Sequence, residues 1–149
     1  MAVEEIDQTT LVVQRVFEAP IEAVFKAWTD PELLPRWYTP VDGWVVSKAE
    51  VDLRPGGEFH LEFGPPGGDP VVEIGTYEEI APPKLLVFTI RLLGRSAVES
   101  TRCRVEFTDQ GDRTEVKIVE GRYSTKTVRD MHAGGWSHCL DLLEVLLRD

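Results

Sequence analysis

The chain has 149 residues, of which 42% are hydrophobic and 28% charged, as is ordinary for one soluble globular domain. Its net charge of −10 and the dispersal of its 16 lysines and arginines argue against nucleic-acid binding, which needs clustered cations. No apolar run reaches the roughly 20 residues of a membrane span, and the acidic start "MAVEEIDQTT" is unlike a signal peptide, so we expect a cytoplasmic protein without a membrane span.

The first part of the chain predicts one strand followed by two short helices. The stretch "TTLVVQRVFEA" is rich in β-branched residues, which favour a strand. In "APIEAVFKAWTD", apolar residues recur at helical spacing from Ile21 to Trp28, and Pro20 suits the first turn. The segment "DPELLPRWY" predicts a second short helix that is capped by Asp30 and limited by Pro35.

From Trp44 to Glu120 the hydrophobic period becomes two, which is typical of strands. The stretch "WVVSKAEVDLRPGGEFHLEF" predicts two strands that turn at "PGG", and "GPPGGDP" predicts a loop. Two further pairs follow, "VVEIGTYEEI" with "KLLVFTIRLL" and "ESTRCRVEFT" with "RTEVKIVEG". One apolar and one polar face per strand indicate an antiparallel sheet that is exposed to water on one side.

The closing stretch "HAGGWSHCLDLLEVLLRD" predicts a long amphipathic helix. At about 100° per residue, one face of this helix is apolar and contains His132, Trp136, Cys139, Leu140, Leu143 and Leu147. The opposite half contains Asp141, Glu144 and Arg148. Because a sheet with one apolar face needs a cover, we predict an α+β fold with the sheet packed on this helix.

Two glycines interrupt this helical stretch. Glycine weakens a helix interior by about 1 kcal/mol relative to alanine. Gly135 borders the apolar face, where it would let a strand or loop approach the helix or leave room for a bound molecule. Alternatively, Gly134 and Gly135 mark a fraying first turn of a helix that begins near Trp136.

Several motifs occur in a characteristic order: "AP" before the first helix, then "DPE…W", "RPGG" and "GW…L…L" in the last helix. In this combination the chain resembles the activator of heat-shock protein 90 ATPase homologue-like family, part of the START-like, birch-pollen-allergen superfamily. The resemblance extends from Val12 to Leu147 and implies that residues 1–149 form a single domain. It also implies a helix-grip fold, in which a curved antiparallel sheet of six or seven strands wraps a long C-terminal helix and leaves a cavity.

Enzyme motifs are absent from the sequence. It has no GxSxG, HExxH, P-loop or GxGxxG pattern, and His60, His132 and His138 lack the spacing of zinc ligands, so we expect neither a metal nor a cofactor. We expect Cys103 and Cys139 to be reduced, partly buried thiols. Some members of the wider superfamily are cyclases or condensing enzymes, and His132 and Tyr77 are the candidates here for such proton transfer.

Small-molecule binding requires less of the sequence than catalysis does. A binding cavity needs mainly apolar and aromatic walls and a few polar groups that orient the guest. We therefore predict a small hydrophobic or amphipathic ligand between sheet and helix. The predicted contact residues are Trp37, Tyr38, Trp44, Phe59, Phe63, Tyr77, Phe88, Phe107, His132, Trp136, Cys139, Leu140 and Leu143.

Other interpretations stay open at this point. The resemblance implies a cochaperone-like interaction module or a stress-response factor as an alternative, although activation in the characterised eukaryotic members also involves a separate domain. An apolar patch at Leu33, Leu34, Trp37 and Tyr38 would suit a dimer or partner surface, or would cap the cavity. Arg15 lies in phase with the apolar residues of the first strand, so it is either a cavity charge or a strand-edge residue.

Overall fold

The computed structural model describes residues 8–93 and 98–148, without the side chains of residues 98 and 99. Most of the acidic start, residues 1–7, lies outside this part. The described strands are β1 (Leu11–Phe17), β2 (Val45–Val51), β3 (Glu58–Gly64), β4 (Val71–Ala81), β5 (Leu85–Leu93), β6 (Val98–Asp109) and β7 (Thr114–Gly121). The helices are α1 (Ile21–Thr29), a 3-10 helix (Leu34–Arg36) and α2 (Lys126–Leu147).

The strands form one sheet in the order β1-β7-β6-β5-β4-β3-β2, and every neighbouring pair is antiparallel. Among the described strands, only the pairing of β1 with β7 joins strands that are far apart in the chain. The sheet therefore consists of consecutive hairpins closed by the first strand. This architecture confirms the predicted α+β class and the helix-grip arrangement.

The core lies between one face of the sheet and α2. Alternate residues of each strand point to this inner face, among them Leu61 of β3, Val105 of β6 and Ile118 of β7. From α2, Leu140 and Leu143 pack against them with at most 1% of their surface exposed. Burying each such side chain contributes about 1.5–3 kcal/mol. The predicted apolar face of the last helix is thus confirmed.

The segment after α1 contains less helix than expected. The expected second α-helix is only the 3-10 helix Leu34–Arg36. Pro35 has no amide hydrogen, so the hydrogen-bond ladder of an α-helix cannot continue through it. The tight turn directs Trp37 and Tyr38 inward, and both are buried. The proposed exposed patch at Leu33, Leu34, Trp37 and Tyr38 is therefore wrong: three of these side chains are buried, and Leu33 is half-buried.

The two glycines lie well inside α2. The helix begins at Lys126, where the Thr125 hydroxyl accepts a hydrogen bond from the Val128 amide at 3.1 Å, so a fraying start near Trp136 is ruled out. A Cβ atom on Gly135 would lie 3.0 Å from the Cβ atom of Pro40, whereas one on Gly134 would meet open space. The expected close approach of a loop at Gly135 is confirmed.

These two positions provide a matched pair of substitutions. Gly134→Ala should raise the free energy of unfolding by about 1 kcal/mol, because alanine favours the helix and its methyl group meets nothing. Gly135→Ala should gain clearly less, or lose stability, because Pro40 must move. Chemical denaturation of both variants measures the difference. Equal gains would contradict the close packing of the Pro40 loop on α2.

Candidate functional site

A cavity of about 340 Å³ lies between the inner face of the sheet and the N-terminal half of α2. The loop before β2 and the segment after β7 complete its wall. The sheet contributes Phe63, Val71, Glu73, Ile90, Leu92, Thr101 and Glu120. The helix and the two connecting segments contribute Tyr38, Pro40, Val41, Trp44, Tyr123, Met131, His132, Gly135, Trp136 and Cys139.

Glu73, on the inner face of β4, is a buried carboxylate in this wall. Its Oε2 atom accepts a hydrogen bond from the Tyr38 hydroxyl at 2.8 Å. Burial raises the pKa of Glu73 to about 8, and the charge of Glu120 adds to the rise, while the hydrogen bond from Tyr38 opposes it. Glu73 is therefore mostly protonated at neutral pH.

Glu120, near the end of β7, is the second buried carboxylate. Its Oε1 atom accepts a hydrogen bond from the Trp136 indole nitrogen at 2.7 Å, and its Oε2 atom accepts one from the Thr101 hydroxyl at 2.5 Å. Both oxygens of this carboxyl group are therefore occupied by hydrogen bonds. These bonds connect α2 and β6 to the same carboxylate, so the site is tied to the packing of the helix on the sheet.

Tyr123 and His132 form the edge of the cavity beside Glu120. Their ring centroids are 4.8 Å apart, with an angle of 32° between the planes. The Tyr123 hydroxyl is buried and makes no hydrogen bond of normal geometry within the described part of the chain. Burial and the nearby Glu120 charge raise the pKa of Tyr123, so this hydroxyl stays protonated.

The loop before β2 is fastened to α2 beside the cavity. The His138 Nδ1–H group donates a hydrogen bond to the Thr39 carbonyl oxygen at 2.8 Å. Next along the loop, Pro40 packs on Gly135. These contacts position Trp44, which lies half-buried at the cavity with its ring centroid 6.4 Å from that of Phe63.

Comparison with known proteins shows which family this chain belongs to. The family model described as "Activator of Hsp90 ATPase homolog 1-like protein" matches residues 18–148. The chain belongs to this AHSA1-like family. No curated protein matches the chain.

Within the described residues, no helix is both long and apolar enough to cross a membrane, and no cluster of three or more potential ligand side chains is placed to hold a metal.

Solved structures share the fold over nearly the whole AHSA1-like chain. A protein from Chromobacterium violaceum is 25% identical, with a TM-score of 0.85 and coverage of 96% of this chain and 99% of that one. A protein from Nitrosomonas europaea is 26% identical, with a TM-score of 0.79 and coverage of 97% and 98%. An AHSA1-like protein from Aeromonas hydrophila, at 21% identity, has a TM-score of 0.76 and coverage of 92% and 93%, which shows the fold alone.

The predicted contact residues divide into three groups in this AHSA1-like structure, of which two border cavities. Those on the cavity wall are Tyr38, Trp44, Phe63, His132, Trp136 and Cys139. Three others, Phe59, Tyr77 and Phe88, border a separate void of only about 20 Å³. His132 is thus the proton-transfer candidate that reaches the main cavity, whereas Tyr77 does not. Burial raises the pKa of the Cys139 thiol, which is therefore uncharged.

The remaining predicted contacts lie in the core. The Trp37 indole nitrogen donates a hydrogen bond to the Ala27 carbonyl oxygen at 2.9 Å, and the ring is buried without belonging to the cavity wall. Phe107 packs edge-on against Phe25 at 5.3 Å. Two α2 residues, Leu140 and Leu143, contact the sheet directly and are essentially unexposed.

Arg15 is not a cavity charge. Its guanidinium group forms an ion pair with Asp141 of α2 at 2.8 Å, and it does not belong to the cavity wall. The pair is partly exposed, so it contributes at most about 1 kcal/mol. It lies where the edge strand β1 meets the polar side of the helix.

Sequence reasoning missed the polar groups Glu73, Thr101, Glu120 and Tyr123. The strand period contains a signal for three of them. Glu120 continues the inward series of Val116 and Ile118, Thr101 precedes Cys103 by two residues, and Glu73 precedes Gly75 by two. A charged residue normally faces water, so the residue type of Glu73 and Glu120 argues against the inward position that the strand period gives them.

The raised pKa of Glu73 predicts a pH-dependent stability difference. The folded protein holds this proton more tightly than the unfolded chain, so the resulting stabilisation is complete below about pH 4.5 and is lost as the pH rises towards 8. Glu73→Gln cannot lose a proton and should gain stability relative to the parent, by a few kcal/mol, between about pH 5 and pH 8. Urea unfolding across this range measures it. A stability difference independent of pH would contradict the burial of an ionisable Glu73.

Proposed function

We propose that this AHSA1-like protein binds a small amphipathic molecule in the cavity between the sheet and α2. The observation that supports the proposal is the cavity itself, about 340 Å³ in volume and mainly apolar, with two carboxylates and a tyrosine hydroxyl at its surface. Cavities of roughly 300–1,000 Å³ with apolar walls and a few placed polar groups are typical of small-molecule sites.

The packing around the cavity supports a retained binding space. Apolar surfaces gain dispersion contacts when another group packs against them. Two aromatic side chains of the wall are fixed by specific contacts: Trp136 by Glu120, and Tyr38 by Glu73. A guest with an apolar body would pack against these fixed rings.

The cochaperone-like alternative has less support in this chain. The side chains suggested as an exposed docking patch, Leu34, Trp37 and Tyr38, are buried. The unusual polar groups of the molecule, Glu73 and Glu120, face the inner space and not an outer surface. We therefore place small-molecule binding ahead of a protein-interaction role.

Filling the cavity tests the proposal. N-Phenyl-1-naphthylamine is a neutral probe whose fluorescence rises in apolar surroundings, and the parent protein should bind it saturably. Val71→Trp places an indole in the cavity wall and should weaken binding by at least about tenfold, equivalent to about 1.4 kcal/mol.

Val72→Trp is the matched control, since Val72 is the next residue of β4 and lies outside the cavity wall. It should bind the probe like the parent protein. Thermal unfolding of both variants checks that each is folded. Equal probe binding by the two folded variants would contradict the proposal that this cavity is the binding site.

A further inference from the structure

We propose that the polar end of the bound molecule is a positively charged nitrogen, so that the cavity selects small ammonium compounds over alcohols and carboxylates of the same shape. This inference rests on the proposed function and adds the chemical class of the ligand. It follows from the charges, the available acceptors and the aromatic rings around the cavity.

The charges in the cavity wall are one-sided. Its acidic residues are Glu120 and Glu73, whereas no lysine or arginine of the described residues belongs to it. Glu73 is mostly protonated at neutral pH, and a ligand cation beside it would favour its ionised form. His132 is the one wall residue of the described chain whose side chain can become cationic. A buried carboxylate without a counterion is costly, and a ligand cation would supply the missing charge. A ligand carboxylate would instead be repelled by Glu120.

The wall also has hydrogen-bond acceptors in excess. One oxygen of Glu73 accepts the Tyr38 hydroxyl, and the second oxygen of the ionised group is a further acceptor in the wall. The buried Tyr123 hydroxyl lies beside Glu120 and makes no hydrogen bond of normal geometry in the described chain, so its oxygen is a further acceptor. A primary ammonium group offers three N–H donors and no acceptor, which suits a wall with unused oxygen atoms.

Aromatic faces complete this environment. Tyr38 and Trp136 meet nearly at right angles, with ring centroids 5.8 Å apart, and Trp44 and Phe63 line the wall nearby. Cations within about 6 Å of a ring centroid are attracted to the face of the ring, most strongly for tryptophan. An arylalkyl ammonium compound would therefore find apolar contacts for its body and favourable charge contacts for its head.

A matched series of probes separates charge from shape. The three probes are 3-phenylpropan-1-amine, which is protonated at neutral pH, 3-phenylpropan-1-ol and 3-phenylpropanoate. Isothermal titration calorimetry on the full chain should show the ammonium compound binding at least about tenfold more tightly than the alcohol, with the carboxylate weakest. A tenfold ratio corresponds to about 1.4 kcal/mol.

Two variants test whether the preference for the ammonium compound arises in the cavity. Glu73→Gln and Glu120→Gln each remove an ionisable carboxyl group that can pair with a bound cation, but keep an oxygen acceptor, and each should reduce the ammonium-to-alcohol ratio several-fold. Glu79→Gln makes the same charge change on an exposed residue of β4 and should leave the ratio unchanged. The wild-type series needs no variant, so the test stands even if Glu120→Gln does not fold.

The outcomes distinguish the two proposals. Binding of the alcohol or the carboxylate as tightly as the ammonium compound overturns this inference and leaves the proposed function intact. Binding of none of the probes contradicts the proposed function as well. A preference that persists in both wall variants and falls in Glu79→Gln would locate charge recognition outside the cavity, and would also overturn the inference.

Discussion

The hydrogen bond from the Trp136 indole to the Glu120 carboxylate, at 2.7 Å, is the contact on which the rest of the site depends. It connects the long helix to the far end of β7 and pairs a charge that has no lysine or arginine beside it in the described cavity wall. Hydrogen bonds to charged groups contribute about 1.5–3 kcal/mol, and losing one partner of a buried charge costs more than the bond itself. The same bond fixes the indole, which stacks on Trp28 at 5.6 Å.

The cavity exists because the two halves of α2 meet the sheet differently. In the C-terminal half, Leu140 and Leu143 are buried in one core cluster with the strand side chains and do not belong to the cavity wall. In the N-terminal half, Gly135 accepts the Pro40 loop, and Trp136 reaches a carboxylate instead of an apolar strand residue. These two contacts hold the N-terminal half of the helix in place, and the cavity lies between this half and the sheet.

Much of the fold could be predicted from the sequence, because both periods are strong. The helical wheel around Trp136 and the strand alternation give the correct faces, since side-chain direction follows directly from backbone geometry. The alternation of apolar and polar residues shows which face of the sheet a side chain occupies, but not which cavity it borders. Phe59 and Phe63 share a face of β3, but four residues of strand, about 13 Å, separate them, and only Phe63 reaches the main cavity. The buried carboxylates escaped prediction because their partners come from distant segments.

NMR of the indole N–H groups tests the central claim most directly, because the four tryptophans report from different places. With 3-phenylpropan-1-ol as a neutral probe, the account predicts that the Trp136 and Trp44 indole signals shift saturably. The Trp37 signal, whose N–H group is bound to Ala27 and whose ring does not belong to the cavity wall, should stay in place. A saturable shift at Trp37 with none at Trp136 would contradict a binding site between the sheet and the helix.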